Sequence, residues 1–323
     1  MTITSPALPG AGKKEARYEL VEIPEPLGPV EVMLDEAKIR SYAFSQDDYG
    51  SWYFGPSPFG GPVAHPLALA NDLLFLFYDK YDGNTAQGLH THERLDFHNP
   101  AFAGERVTVT GAYVEKYERR GNGYVVLEAE ARGEDGRLLV SHRGVEIMRV
   151  VAGNVVGRGS ATPGGRRVGG QTRADLPVAA RAAHGLERLA PLPPLTKRFT
   201  QDQMNVFSWA GQHYSNVHTS IRRAADSGLD RTIIQAQQQT GLITRAMTEF
   251  FGASWFTTGR LDLRFVAPAY CGDTLTVRGA VLEESDGRLE LEVWVDKDGG
   301  GRTALGWASA AIDGGSERPE QLL

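Results

Sequence analysis

The sequence predicts an α+β fold made of two copies of one unit, in each of which a long helix is covered by an antiparallel sheet. Residues 95–105 (LDFHNPAFAGE) align without a gap with residues 263–273 (LRFVAPAYCGD). The alignment continues in the same register from VTVTGA at 107–112 to LTVRGA at 275–280. Each half also carries an apolar helical segment followed by a run of strand-like segments. A tandem duplication explains both observations.

Composition narrows the class of protein. The chain has 323 residues, 41% of them hydrophobic and 23% charged, which gives room for two domains with cores of their own. The net charge of −6 and the lack of a dense Lys/Arg patch argue against nucleic-acid binding. A single cysteine, Cys271, cannot form a disulfide within the chain. With no apolar leader and no membrane-length apolar run, we expect a cytoplasmic protein without a membrane segment.

The first unit is predicted at residues 29–152, after a poorly ordered lead-in at 1–28 that is rich in Pro, Gly and Ala. Its main helix is predicted over 65–81, because apolar residues recur there at helical spacing. A short strand at 30–34 and a helical segment, EAKIRSYAFS, come before it. Strands follow at about 89–98, 105–117, 123–133 and 137–150, separated by glycine-containing turns.

The second unit is predicted at residues 191–315, after a Gly/Arg/Ala/Pro-rich linker at 153–190. Its helix is predicted over 233–251, and its strands over 258–267, 272–284, 288–297 and 302–313. Two such units can place their sheets edge to edge, which protects the unpaired strand edges. One chain would then imitate a dimer.

Ionisable residues suited to chemistry concentrate in residues 207–236, just before the second helix. His213 and His218 lie five residues apart in this stretch, and an imidazole can serve as acid or base near neutral pH. A second group, His90, His92 and His98, falls on alternate positions of a predicted strand and should share one face. We predict no metal there, because the sequence offers these histidines no acidic partner at ligand spacing.

The residues around His213 carry a family resemblance. The chain resembles the MaoC-like acyl dehydratases and (R)-specific enoyl-CoA hydratases, whose second half reads Asp-x-Asn-Pro-x-His-x-Asp where this chain reads HYSNVHTS at 213–220. The family's later pattern, R-x-D-x-x-F-x-x-P-x-x-x-G-D, is present in full at 260–273. The resemblance covers residues 30 to 313 and implies a tandem (double) hotdog fold.

The resemblance also implies a set of site residues. His218 matches the family's catalytic His and would be the acid/base, while His213 stands at the position of the family's Asp and would be its partner. Ser215 stands at the Asn position and Gln212 could orient water, so both are predicted to bind substrate. The N–H groups at Gln235 and Ala236, where the helix begins, would polarise the thioester carbonyl. No cofactor is implied.

The expected activity is interconversion of enoyl and 3-hydroxyacyl thioesters, carried by coenzyme A or an acyl carrier protein, in a homodimer of double-hotdog chains. Because the family's Asp is replaced, another reaction in the same cavity stays open: isomerisation, cyclisation or thioester hydrolysis. A non-catalytic acyl-thioester-binding subunit is the further alternative. The glutamines at 235 and 237–239 would place at least one amide in the ligand tunnel, since the family buries this helix.

Overall fold

The computed structural model describes residues 12–86, 88–149, 167–208, 215–312 and 319–322. Within these ranges, one ten-stranded sheet dominates, with the strand order β2-β5-β6-β7-β4-β9-β12-β11-β10-β8. The strands are β1 Lys14–Glu15, β2 Glu25–Met33, β3 Tyr81–Asp82, β4 Leu89–Phe97, β5 Arg106–Arg119, β6 Asn122–Arg132, β7 Leu138–Arg149, β8 Leu195–Arg198, β9 Arg260–Phe265, β10 Thr274–Ser285, β11 Arg288–Lys297 and β12 Arg302–Ala311. The α-helices are α1 Glu36–Gln46, α2 Ala70–Leu74, α3 Gln201–Phe207, α4 Ile221–Asp226, α5 Ala236–Phe251 and α6 Ser254–Thr258.

The sheet has the internal symmetry that a duplication requires. Its first half reads β2-β5-β6-β7-β4, and its second half repeats that order in reverse as β9-β12-β11-β10-β8. The halves join where β4 and β9 pair antiparallel, from His92 opposite Arg264 to Asp96 opposite Arg260. The predicted α+β fold and the edge-to-edge pairing of the two sheets are therefore confirmed.

The main helix of the second half agrees with its prediction, and the main helix of the first half does not. Helix α5 runs over Ala236–Phe251 and is buried along most of its length. In the first half, the α-helix covers only Ala70–Leu74 and continues as a 3₁₀ helix over Phe75–Asp79. A 3₁₀ turn places residues i and i+3 over one another, and the rings of Phe75 and Tyr78 stack with centroids 4.9 Å apart. A 3₁₀ helix with stacked aromatic rings thus stands where the spacing predicted a regular α-helix.

The described part of the predicted lead-in is ordered. Strand β1 pairs with β3, and the side chains of Ala16 and Tyr18 are buried. The ring of Tyr18 lies over Gly123, where an added Cβ would come within 2.6 Å of it. The Pro- and Gly-rich composition gave no indication of this strand pairing or of these buried side chains. The rest of the lead-in prediction, residues 1–11, lies outside the described residues.

The described part of the linker, residues 167–190, forms no helix or strand but is held against the second half. The backbone N–H groups of Gly169 and Gly170 donate to the carboxylate of Glu292, at 3.0 and 2.9 Å. Ala179 and Ala190 are buried in the core. The linker prediction for residues 153–166 lies outside the described residues. In the described ranges, no helix is both long and apolar enough to span a bilayer.

Candidate active site

The loop that carries His218 is shaped by its own polar side chains. The Asn216 side chain accepts a hydrogen bond from the backbone N–H of His218 at 2.9 Å, which closes a tight turn. Ser220 then caps helix α4 by accepting from the N–H of Arg223. Local hydrogen bonding therefore fixes the backbone on both sides of His218.

The imidazole of His218 is held in one orientation. Its Nδ1 lies 2.7 Å from the carbonyl oxygen of Ile233, so Nδ1–H donates and the neutral ring keeps the lone pair on Nε2. The residue is partly buried. Burial lowers the pKa of His218 to about 4, against the smaller opposing effect of its bond to Ile233. The ring is therefore neutral near pH 7 and can accept a proton at Nε2.

A glutamine that the sequence analysis missed ties this loop to the start of the second helix. Gln201 Nε2 donates to the carbonyl oxygen of His218 at 2.9 Å. The hydroxyl of Thr232 donates to Gln201 Oε1 at 2.6 Å. One amide thus links α3, the histidine loop and the residues before α5. Gln201 opens a helix capped by Thr200, and nothing in that local pattern marks it as part of a site.

Helix α5 begins beside His218, because Ile233 lies two residues before its N-cap, Gln235. The backbone N–H of Gln235 faces Gln238 Oε1 at 3.4 Å, and its side-chain Nε2 donates to Ser208 Oγ at 2.6 Å. Both nitrogens of Gln235, in the backbone and in the side chain, are thus engaged inside the protein. The N–H groups of Ala236 and Gln237 occupy the first helical positions, which have no acceptor within a helix. These two donors fit a carbonyl oxygen better than the N–H of Gln235 does.

The architecture matches solved structures at low sequence identity. A MaoC-like dehydratase aligns over 91% of this chain and 99% of its own, with a TM-score of 0.66 and 14% identity. A putative MaoC domain protein dehydratase from Chloroflexus aurantiacus aligns over 96% and 100%, with a TM-score of 0.65 and 12% identity. A conserved hypothetical protein from Mycobacterium tuberculosis, described as having a double hotdog fold, aligns over 91% and 98%, with a TM-score of 0.62 and 14% identity.

The chain has a double hotdog fold. No protein-family model and no curated protein matches it. The resemblance noted in the sequence is confirmed at the level of the fold.

The predicted site also includes Gln212, His213 and Ser215. Ser215 is exposed, and in the described part of the chain it makes no hydrogen bond that would fix its side chain. Gln212 and His213 lie outside the described residues. The structure brings His218 into contact with Ile233, two residues before Gln235, and the roles of His218, Gln235 and Ala236 stay predictions. The roles of Gln212, His213 and Ser215 stay predictions as well.

The four glutamines at the start of α5 are buried rather than solvated, with at most 3% exposure each. Gln237 Nε2 donates to Glu93 Oε1 at 2.6 Å, across the joint between the two halves. Helix α5 is thus buried as the resemblance implies. The placement of one of these amides in a ligand tunnel stays a prediction.

His90, His92 and His98 do not share one face, contrary to the sequence prediction. A register shift between His90 and His92 breaks the alternation. His90 points to the interior, where its Nδ1 lies 3.7 Å from Glu146. His92 contacts Asp262 at 2.9 Å and His98 contacts Ser141 at 3.0 Å, both in partly buried positions. A bulge of this kind is not visible in the residue pattern.

Proposed function

We propose that this chain is an acyl-thioester hydratase or dehydratase that interconverts enoyl and 3-hydroxyacyl thioesters. The observation that supports this most directly is the contact of His218 Nδ1 with the carbonyl of Ile233. That contact leaves Nε2 as the basic nitrogen, on a ring bonded to a residue two positions before the N-cap of α5. A base and a pair of backbone donors are thereby supplied by one junction of loop and helix.

The proposed hydration step uses these groups as follows. His218 Nε2 accepts a proton from water as the water oxygen bonds to C3 of the enoyl thioester. The electron pair of the C2=C3 bond moves towards the thioester carbonyl, whose oxygen is stabilised by the N–H groups of Ala236 and Gln237. The proton then passes to C2, which gives the 3-hydroxyacyl thioester. Dehydration is the reverse, and His213 is proposed to share the proton with His218.

The substrate class is proposed from the same resemblance and fold. Two of the similar structures are described as dehydratases, and the proposed activity is of the same kind. The carrier is proposed to be coenzyme A or an acyl carrier protein. A homodimer and a cytoplasmic location are also proposed.

The test uses purified full-length protein with crotonyl-CoA and, separately, 3-hydroxybutyryl-CoA. Enoyl-thioester absorbance reports the reaction in both directions. We expect turnover in the wild type and a loss of about 10²–10⁴-fold in His218→Ala, which is the usual contribution of a positioned acid or base. His184→Ala is the matched control, because His184 is an exposed histidine paired with Glu284 at 2.6 Å. Its activity should equal that of the wild type.

Two results would overturn the proposal. The first is a His218→Ala variant as active as the wild type, which would remove His218 from the chemistry. The second is an inert wild type that still binds the thioester, measured by calorimetry, because that result favours the non-catalytic subunit. A gain of hydration in His213→Asp over the wild type would support the proposed place of His213 beside His218.

A further inference from the structure

Three ionisable side chains of the first half meet in the interior, close to the joint between the two halves. His90 and Glu93 come from β4, and His142 comes from the neighbouring β7. The nearest ligand atoms of the three all lie within 4.8 Å of one another. His142 Nε2 is 3.3 Å from Glu93 Oε1, and both side chains are fully buried.

The carboxylate of Glu93 is fixed from above by helix α5. Gln237 Nε2 donates to one oxygen and the hydroxyl of Thr240 donates to the other, each at 2.6 Å. The Glu93 carboxyl group is therefore held in one orientation in a closed interior.

The imidazoles beside it make no well-formed hydrogen bond within the described residues. Among the described residues, none of the four ring nitrogens of His90 and His142 has a hydrogen bond of acceptable geometry. A buried polar atom without a hydrogen-bond partner destabilises the folded state. Two such rings beside one buried carboxylate are the arrangement expected of ligands whose shared partner is an ion.

The fold does not require these polar residues, as its second copy shows. Leu95 and Leu263 occupy the same position in the duplicated motif; the first pairs with His142 and the second with Gly306. By the same register, Leu261 stands in the second half where Glu93 stands in the first. The second half thus fills these positions with a leucine and a glycine. Buried charged groups seldom stabilise a fold more than apolar side chains of similar size would.

The backbone of β7 leaves room for the two rings. A Cβ on Gly144 would lie 2.8 Å from His142 Cε1 and 3.0 Å from His90 Cε1. The register puts Gly144 opposite Glu93, where the second half has Ala308 opposite Leu261. The glycine is therefore matched to the imidazoles, and its counterpart carries the methyl group that they would exclude.

We propose that His90, Glu93 and His142 bind a divalent transition-metal ion of the zinc type. Two imidazole nitrogens and one carboxylate oxygen are a usual ligand set for such ions. Two ligand atoms at about 2.0–2.1 Å from a tetrahedral metal are about 3.3–3.4 Å apart. The separation of His142 Nε2 and Glu93 Oε1, 3.3 Å, has that value.

The surroundings supply the outer contacts that metal ligands need. Glu146 Oε1 lies 3.7 Å from His90 Nδ1, on the side away from a metal bound at Nε2. Gln237 and Thr240 orient Glu93. The positive charge of the ion would lie close to the carboxyl groups of Glu93 and Glu146. Since Glu93 already holds the first turn of α5, the ion would stabilise the joint between the two halves, whatever reaction the protein catalyses.

The test measures metal directly, with no thioester present. The full chain is produced with zinc in the growth medium, because a buried site exchanges slowly, and is dialysed against a weak chelator before elemental analysis. We expect about one zinc per wild-type chain and almost none in His90→Gln or His142→Gln. His92→Gln is the matched control, because His92 lies on the same strand but contacts Asp262 instead. It should keep its zinc.

A second measurement covers variants that fail to fold. Wild-type protein produced with Co²⁺ in place of zinc should show visible absorption bands of a four-coordinate site with nitrogen and oxygen ligands. Two results overturn the proposal: a wild-type chain that retains neither zinc nor cobalt, or folded His90→Gln and His142→Gln variants that retain as much zinc as the wild type.

Discussion

Arg94 and Asp262 are paired across the joint between β4 and β9, although they occupy the same position in the two copies of the repeat. The pairs at the two ends of the joint are His92 with Arg264 and Asp96 with Arg260, so the register is symmetric about the central pair. The pseudo-twofold axis of the chain therefore passes between Arg94 and Asp262. A duplicated gene has placed opposite charges where an exact repeat would have placed like charges.

Replacing Asp262 by Arg should destabilise the joint. The variant sets two arginines opposite each other at the axis, and like charges in directly paired positions are unfavourable by up to about 1 kcal/mol. It also removes the carboxylate that contacts His92 at 2.9 Å. We expect a lower free energy of unfolding in urea. The double variant Arg94→Asp, Asp262→Arg restores opposite charges and should recover part of the loss; no recovery would show that the pair itself contributes nothing.

Much of the fold could be predicted because its signals are local or repeated. Each strand of the two main runs is found within three residues of its predicted bounds at either end, for example β11 at Arg288–Lys297. Turn residues and alternating apolar positions mark such strands. The predicted helix at 65–81 was wrong in length because the stacking of Phe75 on Tyr78 selects a tighter helix. That preference depends on packing, which helical spacing does not report.

The candidate sites could be predicted only where their residues are close in sequence. His218 and the start of α5 are close in sequence, so a motif could place both. The contact of Glu93 with His142 depends on the register between β4 and β7. The inward turn of His90 depends on a bulge next to His92. Neither is encoded in residue spacing, which is why an acidic partner for His90 was not anticipated.

Stability should fall as the pH drops from about 6.5 to about 4, in part because of His218. The pKa of His218 is lowered from 6.5 in the unfolded chain to about 4 in the folded one. Between these values the unfolded chain binds the proton and the folded one does not, so protonation favours unfolding. Above pH 6.5 both states are neutral and the contribution is constant.

Urea unfolding at a series of pH values measures this effect. His218→Gln removes the titrating group, so its free energy of unfolding should depend less steeply on pH than that of the wild type between pH 4 and 6.5. His65 and the carboxyl of Glu93 also have lowered pKa values. Their contributions to the pH dependence of stability are the same in the wild type and in His218→Gln. Equal slopes in the two proteins would mean that His218 titrates normally in the folded state.

Gln201 should act as a positioning residue for His218. Gln201→Ala removes the link between the carbonyl of His218 and the hydroxyl of Thr232. If the proposed hydratase activity is present, kcat should fall about tenfold, which corresponds to about 1.4 kcal/mol of transition-state stabilisation. KM should change little, because no contact with the substrate is removed. Steady-state kinetics with crotonyl-CoA measure both.

The chain offers a matched control for this link. Gln201 Nε2 also contacts Asn205 Oδ1 at 2.8 Å, so Asn205→Ala removes a bond of the same amide but leaves the link to His218 and Thr232 intact. Its kcat should stay near the wild-type value. Thr232→Val breaks the link from the other end, and because both changes act through one connection, the double variant Gln201→Ala, Thr232→Val should be little worse than either single one. Additive losses would instead show that the two residues support His218 independently.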